Sequence, residues 1–92
     1  MVKTAMLKVL IAEDDRVSAR ILENHLCKWG YQVFLEKNGE DAWKTLDQEN
    51  IQIAILDWMM PKLNGIQLCK KIRKRETDLY TYIILLTART ST

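Results

Sequence analysis

The sequence predicts an α/β domain: a parallel sheet with helices on both faces, built as β-α-β-α-β-α-β. Two observations carry this. Short apolar runs of strand length alternate with stretches of helical spacing along the whole chain. The runs within 51–56 and 82–86 are apolar at nearly every position, as strands covered on both faces are.

The first run, Lys8 to Ala12, predicts a strand that Glu13-Asp14-Asp15 stops abruptly. From Arg16 the spacing changes, with Val17, Ile21, Leu22, Leu26 and Trp29 recurring every three to five residues. That is an amphipathic helix, with Asp15 or Asp14 as N-cap and Gly30 as C-cap. Tyr31 to Leu35 alternates loosely between Gly30 and Asn38-Gly39, which suits a strand near a sheet edge. Gly39 to Gln48 reads as a short helix capped by Asn38, with Ala42, Trp43 and Leu46 facing inward.

The stretch Ile51 to Leu56 is the strand around which the others are organised, and it ends on Asp57. Pro61 and Asn64-Gly65 turn the chain just beyond, so this acid sits at the lip of the sheet. Gly65 to Arg75 predicts a helix with Ile66, Leu68, Cys69 and Ile72 inward and its basic residues outward. The final run, Tyr82 to Thr87, predicts another doubly buried strand. Right-handed crossovers leave few topologies, and a central first strand gives the doubly wound order 2-1-3-4. The crevice at the point where the winding reverses then opens between Asp14 and Asp57.

Composition bounds the function. Ninety-two residues allow a single domain over 1–92, and 48% apolar with 28% charged residues is ordinary for a globular protein. A net charge of +2 does not imply nucleic acid, and the cluster from Lys70 to Arg75 reads as a solvated helix face. Cys27 and Cys69 fall in helical stretches and read as small core hydrophobes, not a disulfide framework; this points to the reducing cytoplasm. No run approaches the ~18 apolar residues of a bilayer span, so no membrane association is expected. His25 has no second ligand at metal spacing and reads as a surface histidine.

The chemistry lies in the acids. Glu13, Asp14 and Asp57 converge in the crevice, and three carboxylates there must be protonated, separated or neutralised by a cation. Mg²⁺ fits, because it takes hard oxygen ligands and keeps waters, leaving a position open to a phosphate oxygen. Thr87, at the end of the last strand, brings a hydroxyl to the same crevice. A nucleophile, a metal site and a hydroxyl together make a phosphoryl-transfer site.

At this point the chain resembles the receiver domain of two-component response regulators, a flavodoxin-like fold. The match runs through Val9 to Asp15, Ile55 to Pro61 with Asn64-Gly65, and Leu85 to Ala88. The resemblance implies that Asp57 accepts a phosphoryl group from a sensor histidine kinase or phosphotransfer protein. It implies Mg²⁺ bound by Asp14, Asp57 and the Met59 carbonyl, with Glu13 acting through water. Thr87 becomes the switch hydroxyl. The family continues past Thr-Ala with a fifth βα unit that carries a lysine and an aromatic switch residue, and this chain has no counterpart to either, so it is expected to be an incomplete receiver.

Two other functions share part of this pattern. A non-phosphorylatable pseudo-receiver or truncated fragment acting only as an interaction or assembly module is opposed by the intact acid set and kept open by the missing fifth unit. A Mg²⁺-dependent aspartyl-phosphate phosphatase needs a second acid two residues past the nucleophile, where Met59 stands. The chain is therefore expected to be a switch, not an enzyme. Its last strand is too apolar for a bare sheet edge, so it is expected either to be covered by a second copy, through pairing or domain exchange, or to be poorly ordered in a monomer.

Overall fold

The computed structural model describes residues 7–60, 62–75, 77 and 79–86. The elements follow in the expected order: β1 (Lys8–Ala12), α1 (Arg16–Lys28), β2 (Gln32–Glu36), α2 (Gly39–Gln48), β3 (Ile53–Asp57), α3 (Gly65–Lys74) and β4 (Tyr82–Leu86). All strand pairs are parallel and the sheet order is β2-β1-β3-β4. β2 starts one residue later than expected and β3 two.

The two-residue period of the strands sorts the core onto two faces. Leu10, Ala12, Ala54 and Leu56 point to one face and pack against Ala42 and Leu46 of α2 and Leu68 and Ile72 of α3. Val9, Ile11 and Ile55 point to the other, where Leu22 and Leu26 of α1 cover part of the sheet. Each large aliphatic side chain buried in this way contributes about 1.5–3 kcal/mol over leaving it in water.

The caps explain where the helices begin. Asp15 accepts from the Ser18 N–H, Asn38 from the Asp41 N–H at 2.8 Å, and Asn64 from the Gln67 N–H at 2.8 Å. Gln67 returns the bond by accepting from the Asn64 N–H, which completes a capping box. At the end of α1 the cap residue is Trp29, one position before the expected glycine. Gly30 follows at φ +92°, and its N–H reaches the Cys27 carbonyl.

Three expectations about burial fail. Val17 (68% exposed), Ile21 (53%) and Trp29 (71%) do not face the core, because α1 lies over β1 and β2 and its contact stripe is Ala19, Leu22 and Leu26. Cys27 is exposed for the same reason, while Cys69 is half-buried. β4 is not covered on both faces: it is the sheet edge among the described residues, with Tyr82 67% and Ile84 50% exposed.

At the far end of the sheet from the acids, Thr81 is fully buried. It donates to the Ile51 carbonyl and accepts from Arg75 Nη2, both at 2.7 Å, while Arg75 Nη1 donates to the Leu46 carbonyl. These bonds tie β4, α3 and α2 together below the core. Lys8 and Glu49, 2.9 Å apart, join the start of β1 to the end of α2.

Candidate functional site

β1 and β3 are neighbours in register, Ala12 opposite Leu56. The residues that follow, Glu13 on one strand and Asp57 on the other, therefore leave the sheet side by side. Glu13 stays in line with the ladder because its N–H donates to the Glu36 carbonyl at 3.0 Å. Asp14 is exposed in the turn before α1. A carboxylate oxygen from each of Glu13, Asp14 and Asp57 lies within 4.8 Å of the other two. The structure thus brings together the three acids that the sequence singles out.

The electrostatics of this cluster are those of crowded like charges. Burial raises the pKa of the Glu13 carboxyl most, and its hydrogen bond with Asp57 and the negative charges of Asp57 and Asp14 raise it further. The Asp15 N–H, 3.0 Å from Glu13 Oε2, pulls the other way. The balance pushes Glu13 from 4.5 up to about 7. A divalent cation bound among these acids would offset the same repulsion.

Asp57 is half-buried, and its Oδ1 accepts a long bond of 3.4 Å from the Met59 N–H. The loop that follows is held at both ends. Trp58 donates its N–H to the Leu86 carbonyl at 3.1 Å and accepts from the Gly65 N–H at 3.0 Å. Met59 is 65% exposed, whereas Met60 turns into the core. Trp58 is partly exposed beside the crevice. The donors that the three acids offer are carboxylate oxygens, the hard ligands that Mg²⁺ prefers, so the site fits that ion. Thr87, the expected switch hydroxyl, lies outside the described residues; its neighbour Leu86 stands opposite Asp57 in the β3–β4 register.

Sequence reasoning placed Gly65 and Gly39 at turns but missed the close contacts by which they shape this loop. Gly65 lies so close to the strand end that a Cβ on it would stand 2.4 Å from the Asp57 carbonyl oxygen, and Gly39 presses on Leu63 in the same manner. Their neighbours in the sequence announce a helix cap and nothing about what the helix touches.

A parallel sheet with acids gathered where β1 and β3 end is the architecture of a signalling receiver, and the chain matches the response regulator receiver domain family over residues 9–92. It belongs to that family, the response regulator receiver domains of two-component systems. Among its relatives is the response regulator ArlR of Staphylococcus aureus, 37% identical over 87 residues; the match covers 95% of this chain and 38% of ArlR. The chain thus spans well under half the length of the curated relatives it matches. Similar solved structures include the Francisella response regulator 1452 receiver domain, with 34% identity and a TM-score of 0.82 over 94% of this chain and 69% of that one. The MaeR response regulator bound to beryllium trifluoride aligns with 32% identity and a TM-score of 0.80, over 94% of this chain and 70% of MaeR. The receiver domain of Saccharomyces cerevisiae Ssk1, solved with the histidine phosphotransfer protein Ypd1, gives 30% identity and a TM-score of 0.82, over 94% and 66%.

Proposed function

We propose that this chain is a single receiver unit whose Asp57 takes a phosphoryl group from a phosphohistidine on a sensor histidine kinase or phosphotransfer protein. One observation carries the proposal: carboxylates from the ends of two adjacent strands meet within 4.8 Å, with one of them on the strand-end aspartate. An Asp57 carboxylate oxygen attacks phosphorus in line, the P–N bond to the donor imidazole breaks, and the imidazole leaves with the bonding pair and takes up a proton. The product is an acyl phosphate on Asp57. Asp14, Asp57 and the Met59 carbonyl would hold Mg²⁺ directly and Glu13 through water; the ion supplies neutralisation of charge on the phosphoryl oxygens. Thr87 is the hydroxyl that would then bond the phosphoryl group and carry the switch.

MaeR with beryllium trifluoride and Ssk1 with a phosphotransfer protein support this assignment by analogy. The unit acts as a cytoplasmic switch and not as a turnover catalyst; among the described residues no helix is long and apolar enough to cross a membrane. Incubation with Mg²⁺ and acetyl phosphate tests it. Intact-mass analysis should show one phosphoryl adduct on the parent chain and none on Asp57→Ala. An adduct on both, or on neither, contradicts the assignment.

The exposure of Tyr82 and Ile84 favours one further element, a second copy paired along β4 or exchanging it. Sedimentation should then show a dimer that Ile84→Lys dissociates. A monomer at all concentrations would exclude it.

A further inference from the structure

Gly39 opens α2 and is buried. A Cβ built on it would stand 1.8 Å from the Leu63 carbonyl oxygen, 2.5 Å from Leu63 Cβ and 2.6 Å from its carbonyl carbon. The first of these is a main-chain atom, so no side-chain rotation relieves the overlap. Any residue other than glycine here drives the backbone at Leu63 away by more than an ångström or lifts the first turn of α2. Leu63 belongs to the loop that leaves Asp57 and carries Met59. The two ends of that loop are fixed by the Trp58 and Gly65 bonds, and its middle has no regular hydrogen-bonding pattern of its own among the described residues. What holds the middle is packing: Met60 in the core, and the Leu63 main chain on the bare Cα of Gly39.

We propose that Gly39 is a positioning residue for the cation site. By letting α2 and the β3–α3 loop approach to main-chain contact, it sets where the loop presents the Met59 carbonyl relative to Asp57. The inference rests on the metal site proposed above and adds to it a residue on a different element. Residues that orient ligands without touching the ion act through such contacts, and their loss weakens metal affinity while the ligands themselves remain.

Gly30 supplies the control. Its φ of +92° strains any L side chain, so Gly30→Ala also destabilises the fold, yet nothing lies within 4 Å of the added Cβ and the loop is left alone. Calorimetric Mg²⁺ titration and thermal unfolding of the parent, Gly39→Ala and Gly30→Ala separate the cases. Gly39→Ala should bind Mg²⁺ about tenfold or more weakly, and Gly30→Ala should bind as the parent does despite its lower melting point. Equal binding by the parent and Gly39→Ala overturns the role of Gly39 and leaves the site standing. Equal weakening in both variants reduces it to general destabilisation and also overturns it. A parent that takes up no Mg²⁺ overturns the site and the role together.

If Gly39→Ala does not fold, hydrogen exchange on the parent decides. Coupling between sites is reciprocal, so Mg²⁺ should slow exchange of the Ala42 N–H, which donates to the Asn38 carbonyl in the first turn of α2. Slowing at Met59 with none at Ala42 would overturn the proposal.

Discussion

The two faces of the sheet differ sharply. On the α2–α3 face, two helices close over the strands and ten buried residues form one continuous cluster. On the α1 face the buried cluster among the described residues is Val9, Ile11 and Ile55, with Ala19 of α1 buried above the sheet, and Tyr82 and Ile84 of β4 have no helix above them there. The comparison teaches that a parallel sheet needs about a helix per strand pair on each face, and that the strands themselves carry no information about whether one is supplied. The site lies at the carboxyl end of the sheet, where the two-residue period carries Glu13 on from Val9 and Ile11, and Asp57 on from Ile53 and Ile55, in the row of the α1 face. The loop after Asp57 packs Met60 and Leu63 on the other, better-covered face, where Gly39 supports its middle.

The largest expected effect tests that asymmetry directly. Leu56→Ala, on the closed face, should cost about 2–5 kcal/mol in urea unfolding. Ile84→Ala, on the open face, should cost about 1 kcal/mol or less. Equal losses would show that the open face is covered in solution; if a second copy covers it, the loss for Ile84→Ala will shrink as the chain is diluted.

Next in size is the capping box that fixes the start of α3 and the end of the loop. Asn64→Ala should lower unfolding free energy by about 1 kcal/mol. On the other face, Ile21→Ser on the exposed flank of α1 should change it by less than about 0.5 kcal/mol. The same urea midpoints report both, and a larger loss at Ile21 than at Asn64 would reverse the ranking of the two faces.

A smaller effect concerns pH. Glu13 has a folded pKa of about 7 against an ordinary 4.5, so the folded chain binds this proton more tightly than the unfolded one. The metal-free chain should therefore lose stability as pH rises from about 4.5 to about 7, with no further loss from this group above that. Glu13→Gln should flatten the slope, because the amide cannot ionise. Saturating Mg²⁺ should flatten it too, by replacing the proton as counter-charge. Urea midpoints across that range, with and without Mg²⁺, measure this; a slope of opposite sign would contradict the electrostatics of the cluster.

Much of this molecule is legible in the residues. Lys8 to Ala12 followed by three acids, and Ile51 to Leu56 followed by Asp57, announce strands that end on charge, and the parallel pairing then brings Glu13 beside Asp57. The helix caps Asn38 and Asn64 are equally plain. Other features were not readable for physical reasons. Periodicity marks Val17 and Ile21 as apolar but does not tell how wide a stripe the sheet covers, and the sheet leaves both exposed. The composition of β4 shows that it favours burial, whereas its exposure depends on what lies next to it. Gly39 and Leu63 are far apart in the chain, and nothing near either reveals their contact.

The central claim is that Glu13, Asp14 and Asp57 form one cation site at the end of the sheet. Thermal unfolding of the parent and of Asp14→Asn during Mg²⁺ titration at neutral pH tests it most directly. The account predicts a saturable rise in melting temperature for the parent and its loss in Asp14→Asn. A parent indifferent to Mg²⁺, or an Asp14→Asn variant that responds as the parent does, would contradict it.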